Sequence, residues 1–496
     1  MRRMITHHMG HKNRFKPGTM ALVVHLLACA FGLGSWLAVN GLWVELPLIV
    51  NALPEGWSLP SYLTVIIQLA NVGPLLVTLL HKLRPGYLRE TAVIYAVLAV
   101  GAVACVLLAV FWRVTTVVAG APRSTAFFAL TFFLSLVDCT SSVTFLPFMA
   151  RLPAEYVATF FVGEGLSGFV PGLVALAQGV GMATCVNTTH NATVQNLTAA
   201  AGGGGGDDAW TSQTQYLPPN FSPEVFFYLL AAMMCVSLAA FEALRRLTRT
   251  SFELPATEAL VPDFAASEAS SSGLDNPGLE TDGRGPLRHD AAKETNPIEP
   301  AAVAADQLDL SARQLGFVYF LVVWVNSATN GLLPSVQTYS CMPYGNLAYH
   351  LSAALASVAN PVVCIAAMFF PNRSLLFLGA LGALGTAFGS YNMAMAALSP
   401  CPLLQGSAAG VVIIVSDAPC DRILYKVLSW VFFTGTCSYV KVMVGVMLRD
   451  RSHSALVWCG AAAQAGSLVG SVTMFPLVNT YGLFTSGDYC STKCPL

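Results

Sequence analysis

The feature that most limits what this chain can fold into is the near absence of charge along most of its length. Of its 51 Asp, Glu, Lys and Arg residues, 5 lie in residues 1–16 and 20 in residues 242–313, leaving 26 for the entire remainder. A soluble domain carries about 25% charged residues, whereas this chain has 10% against 55% apolar. No water-facing surface can be assembled from that, so lipid must solvate most of the chain. A spanning helix needs about 20 mostly apolar residues, because in hydrocarbon the backbone must satisfy its own hydrogen bonds. Eleven segments meet that length: 20–44, 60–81, 91–112, 125–149, 155–180, 223–244, 313–334, 347–370, 374–398, a disturbed one within 408–448, and 455–477.

With the N-terminus in the cytoplasm, 19 of the 25 basic residues fall on the inner side. Positive charge is retained there during insertion, so the expected topology is N-terminus in, C-terminus out. The first apolar stretch is too long for a cleavable signal and lacks a small-residue cleavage site. The expected organisation is a cytoplasmic tail (1–19), a six-helix bundle (20–244), a disordered cytoplasmic linker (245–312), a five-helix bundle (313–477) and an extracellular tail (478–496). The linker is rich in Ala, Ser, Pro, Asp and Glu and cannot bury enough apolar area to fold. Loop 183–221 lies outside in this topology and carries glycosylation sequons at Asn187, Asn191, Asn196 and Asn220; the sequon at Asn372 lies inside and stays bare.

The motif search is mostly exclusion. Net charge is −1 without a long basic patch, which removes nucleic acid as a partner. The 13 cysteines form no CxxC pair, so no metal or redox site is expected. Without a nucleophile elbow, Walker loop or zinc motif, the chain reads as no enzyme and needs no cofactor. Any driving force is a gradient.

Self-comparison gives more. Asn40-Gly41-Leu42 before Pro47 matches Asn330-Gly331-Leu332 before Pro334; Ala70-Asn71 near Pro74 matches Ala359-Asn360 at Pro361; and Glu164-Gly165-Leu166-Ser167 matches Gln464-Ala465-Gly466-Ser467. The offsets are 290, 289 and 300 residues. An even number of spans separates the matched helices, so the halves are parallel, related by an axis along the membrane normal as in major-facilitator-like folds. The expected fold is an all-α polytopic membrane protein with a 6+5 pseudo-repeat, rocking about a central cavity. The longer third offset places extra residues, Ser416 to Val427, in the tenth segment.

Ionisable groups at membrane depth cost several kcal/mol and mark functional candidates. Asp138, Glu164 and Lys441 qualify, with Glu45 and His350 nearer the outer ends; structural hydrogen bonding is the alternative for each. A pairing of Asp138 with Lys441 across the bundles fits their matched helices. The amides and hydroxyls Asn40, Gln68, Asn71, Thr144, Asn326, Thr329, Asn330, Gln337, Asn360, Asn392 and Gln464, with Trp36, Trp43, Tyr339, Tyr344 and Tyr391, suit a flat, neutral, hydrogen-bonding solute better than an inorganic ion. Helix–helix hydrogen bonds and interfacial rings are the bland alternatives.

Several strings resemble the animal plasma-membrane riboflavin transporter family, solute carrier family 52, and within it the epithelial, proton-sensitive branch. They are Asn40-Gly-Leu-Trp-Val-Glu-Leu-Pro47, Leu53-Pro-Glu-Gly-Trp57, Leu59-Pro-Ser-Tyr-Leu63, Asp138-Cys-Thr-Ser-Ser-Val-Thr-Phe-Leu-Pro147, Thr329-Asn-Gly-Leu-Leu-Pro-Ser-Val-Gln337, Ser399-Pro-Cys-Pro-Leu403 and Ser438-Tyr-Val-Lys-Val442. The resemblance implies eleven spans, an architecture like equilibrative nucleoside transporters, riboflavin as substrate rather than cofactor, independence of sodium and chloride, and transport roles for Asn40, Asp138, Thr329 and Asn330. The insert at 416–427 departs from the family pattern. Outer cysteines meet an oxidising compartment, and Cys401 with Cys490 is the pair expected there, also by resemblance; Cys494 and Cys341 stay open as partners. The full expectation is a monomeric plasma-membrane riboflavin carrier working by alternating access. Proton coupling is open. A carrier for nucleosides or other flat solutes, or a receptor or channel on the same bundle, are the rivals.

Overall fold

A computed structural model describes residues 17–84, 87–149, 151–180, 183–188, 211–216, 218–251, 310–402, 419–451 and 453–487. The chain divides into two units, Met1–Leu244 with Leu308–Leu496, and Arg245–Gln307. Of the second, the described part is the last turns of a helix, to Ser251.

The first unit is helical: α1 (Pro17–Leu33), α2 (Leu37–Ile49), α3 (Leu59–Leu69), α4 (Val72–Leu83), α5 (Glu90–Phe111), α6 (Thr125–Met149), α7 (Ala154–Gln178), α8 (Pro223–Ser251), α9 (Ala312–Ser327), α10 (Leu333–Ser335), α11 (Gln337–Cys341), α12 (Asn346–Phe369), α13 (Leu375–Ala397), α14 (Pro419–Arg451) and α15 (His453–Asn479). Two antiparallel hairpins sit in loops, β1 (Thr116–Val118) with β2 (Ala121–Arg123), and β3 (Ala183–Thr188) with β4 (Thr211–Tyr216). Among the described residues ten helical segments are long and apolar enough to span a membrane, and the α1–α2 pair, bent by 54°, makes an eleventh if counted as one span. They coincide in order with the eleven expected segments.

Irregularities fall in the first span of each half. The first span breaks at Gly34–Trp36, and its counterpart in the second half loosens into a π turn at Ala328–Leu332 before Pro334. In both halves the first span packs backbone-close on the fifth. A methyl at Gly163 would lie 2.0 Å from the Cys29 carbonyl oxygen, and one at Gly466 2.3 Å from that of Val323, so only glycine allows either approach.

The tenth span, expected as a disturbed segment within 408–448, is α14: residues 419–427, the described part of the insert, form its first turns, and the helix runs unbroken for 33 residues. Residues 403–418, including the start of the insert, lie outside the described residues.

Candidate functional site

Breaking the first span frees backbone groups that lipid cannot satisfy, and neighbouring helices supply the partners. Asp138 of α6, fully buried, accepts the Val39 N–H at 2.8 Å through Oδ2. Ser141 Oγ donates to the Ser35 carbonyl at 2.9 Å, and Ser237 Oγ to that of Phe31 at 2.9 Å. The carboxylate therefore caps α2. It does not face Lys441, whose Nζ donates to Asn330 Oδ1 at 3.3 Å, so the pairing expected across the bundles is absent.

The second half carries a related polar cluster. Asn330 Nδ2 donates to Asn326 Oδ1 at 3.2 Å and to Ser467 Oγ at 3.0 Å; Asn326 Nδ2 donates to the Val322 carbonyl at 2.8 Å and Thr329 Oγ to that of Val325 at 2.8 Å. In the first half Asn40 Nδ2 donates to Ser167 Oγ at 3.2 Å. The matched Asn-Gly-Leu and Ser motifs thus meet in each half.

Between the halves, α3 runs against α15 and α7 against α12. Under the repeat these two junctions are equivalent. At the first, Asn71 Nδ2 donates to Gln464 Oε1 at 3.1 Å and to Gln68 Oε1 at 3.3 Å. At the second, Ser357 Oγ donates to the Gly168 carbonyl at 2.9 Å, with Glu164 half-buried nearby. Asn360 Oδ1 accepts from Ser438 Oγ at 2.6 Å. Asn330, Asn360 and Gln464 are exposed although they sit inside spans. Exposed amides are costly against lipid, so they face a polar cleft along this seam.

The seam is sealed at one end. Thr64 and Ser335 hydroxyls are 3.0 Å apart, Asn479 Nδ2 donates to Ser61 Oγ at 2.7 Å, and Trp57 meets Tyr339 edge-on at 5.8 Å between ring centroids. At the opposite end, the bonds His25–Thr159, Arg151–Glu90, Tyr319–Ala455 and Arg373–Asp450 each stay within one half.

Other expected site residues lie apart. Tyr391 sits with Tyr344 around Lys426, whose Nζ is 5.3 and 5.7 Å from their ring centroids. Lys426 belongs to the insert, is fully buried, and donates to Asn392 Oδ1 at 2.7 Å and to Ser340 Oγ. Glu45 accepts from Gln178 Nε2 at 3.0 Å, and His350 is buried beside the Ala175 backbone. Thr144 Oγ donates to the Thr140 carbonyl, a bond within its own helix, and Trp43 packs against the core. Asn220 Nδ2 donates to the Ala177 carbonyl at 2.9 Å. Cys401 is disulfide-bonded and Cys341 is a buried free thiol. The side chain of Asn187, and Asn191, Asn196, Cys490 and Cys494, lie outside the described residues. Among the described residues no three His, Cys, Asp or Glu side chains cluster as a metal site.

Sequence reasoning left Ser167, Ser467, Ser438 and Lys426 out of the site. The two serines were legible as repeat partners of the asparagines, and Ser438 lay in a resembling string. Nothing local marks Lys426.

The model of solute carrier family 52, riboflavin transporter, matches residues 20–486. The chain is 64% identical over 477 residues to member 3-A of that family from Danio rerio, covering 96% of this chain and 100% of the relative, and 52% identical over 493 residues to member 3 from Homo sapiens with the same coverage. A crystal structure of a D-xylose–proton symporter aligns with a TM-score of 0.48 at 13% identity, over 94% of this chain and 91% of the other. A family match running from the first span into the C-terminal tail, joined to relatives more than half identical over nearly the whole chain, means that this chain belongs to solute carrier family 52, the riboflavin transporters.

Proposed function

We propose that this chain carries riboflavin across the plasma membrane as a monomer by alternating access, with its N-terminus in the cytoplasm and its C-terminus outside. The observation that supports it is the polar seam between the halves, where Asn71 and Gln464 meet across the junction and Asn330 and Asn360 stand exposed within spans. A flat ring with a uracil-like edge finds amide partners there. In this orientation the sealed end, at Thr64–Ser335 and Ser61–Asn479, is extracellular, and the chain is in an inward-facing state. Glu164 and Lys441, on opposite halves of the seam, are the ionisable groups placed for proton coupling. Loop 183–221 then bears glycans, and Cys401 pairs with Cys490 outside the cell.

Uptake of labelled riboflavin and of adenosine into cells expressing the chain, at two external pH values, tests the reading. Saturable riboflavin uptake not competed by adenosine is the expected result, with a steeper rate at acid pH if protons are carried. Adenosine uptake without riboflavin uptake would reassign the substrate.

A further inference from the structure

The repeat equates Asn71 with Asn360 and Glu164 with Gln464, so the α3–α15 junction and the α7–α12 junction should carry equivalent polar pairs. They are filled differently. The first is closed by the Asn71–Gln464 amide bond at 3.1 Å. At the second, a methyl at Gly165 would lie 3.4 Å from Pro361 Cβ, and Glu164 is within electrostatic reach of Cys364, whose Sγ donates to Asn360 Oδ1 at 3.8 Å. Yet the Glu164 carboxylate has neither a hydrogen bond nor an ion pair among the described residues. Asn360 uses only its oxygen, accepting from Ser438 Oγ at 2.6 Å and Cys364 Sγ at 3.8 Å; its Nδ2 donates to nothing among the described residues. An acceptor on α7 and a donor on α12, neither with a protein partner among the described residues, are thus both available at this junction of the polar seam.

We infer that Glu164 and Asn360 read the imide edge of the flavin ring: the carboxylate accepts the ring N3–H, and Asn360 Nδ2 donates to an adjoining ring carbonyl. This rests on the riboflavin reading above. The imide presents carbonyl, N–H and carbonyl in a row, so an acceptor flanked by a donor matches it. The same bond that Asn71 makes to Gln464 at one junction is made through the substrate at the other. Ligand binding therefore draws α7 and α12, one from each half, onto one ring. A site built to hydrogen-bond an N–H rejects an analogue that lacks it far more strongly than an apolar pocket rejects an extra methyl.

The test measures competition against labelled riboflavin uptake by the full chain in cells, using lumiflavin, which keeps the imide but lacks the ribityl chain, and N3-methyllumiflavin. In the unmodified chain lumiflavin should compete and its N3-methyl derivative should be at least 30-fold weaker. Glu164→Gln and Asn360→Asp should each raise the riboflavin KM about tenfold, more than they lower the maximal rate per surface molecule, and shrink the N3-methyl penalty to a few-fold. Equal competition by the two lumiflavins, or an undiminished penalty in both variants, overturns the assignment while riboflavin uptake persists. Absence of riboflavin uptake by the unmodified chain overturns the carrier reading, and the assignment with it.

Discussion

Asn330 Nδ2 donates to Ser467 Oγ at 3.0 Å, joining the first span of the second half to its last, and Asn40 makes the same bond to Ser167 at 3.2 Å in the first half. Both bonds lie beside the break or loosening of a first span, so each fixes a segment whose own helical ladder is interrupted. Asn330 is the more exposed of the two asparagines, and its Oδ1 also accepts from Lys441 Nζ.

Replacing Asn330 by Ala removes the donor to Ser467 and the acceptor for Lys441 together. Hydrogen bonds to charged groups contribute about 1.5–3 kcal/mol, which corresponds to a loss of uptake of at least tenfold if the bond is needed during transport. Asn40→Ala, which frees no charge, should lose less. Uptake per molecule at the surface, quantified by biotinylation, distinguishes them; equal losses would show that Lys441 plays no part.

Asp138 is a cap, so the oxygen that accepts matters more than its charge. Asp138→Ala strands the Val39 N–H in the interior at a cost of about 1–3 kcal/mol, whereas Asp138→Asn keeps an acceptor. Thermal unfolding in detergent should show a clear drop for Ala and less than half that drop for Asn, with uptake by Asn close to the parent. A large uptake loss in Asp138→Asn with unaltered unfolding would instead make the carboxylate's charge part of transport.

The seal at Thr64 and Ser335 offers a lock. Their hydroxyls are 3.0 Å apart, near enough for cysteines at both positions to reach a disulfide with small shifts. Oxidation of the Thr64→Cys, Ser335→Cys double variant should abolish riboflavin uptake, and a reductant should restore it, while neither single variant responds. Full uptake by the demonstrably cross-linked form would mean that these spans need not separate.

Lys426 is buried without a carboxylate partner among the described residues, and Asn392 Oδ1 also accepts from Ser429 at 2.9 Å. Exchange for Met keeps the volume and leaves that acceptor satisfied. Replacing buried charge by well-packed apolar groups is often neutral or stabilising, so Lys426→Met should unfold at the same temperature or a few degrees higher. Lys426→Glu should fail to reach the surface. A marked destabilisation by Met would mean that the ammonium itself holds α11, α13 and α14 together.

Eleven spans and a parallel repeat were legible in the chain itself, because span length and small-residue motifs are local properties that survive in one dimension. So were Asn40, Asn71, Asn330 and Asn360 as a set, since all four occupy matched positions. What a polar side chain meets is a different matter. It depends on how each helix is rotated against others far away in sequence, as with Asn479 and Ser61, 418 residues apart. Only the tertiary structure could therefore make Asp138 the cap of a broken helix instead of the partner of Lys441, bury Lys426 of the insert against Asn392, and close the seam at the end where Thr64 meets Ser335 and Ser61 meets Asn479.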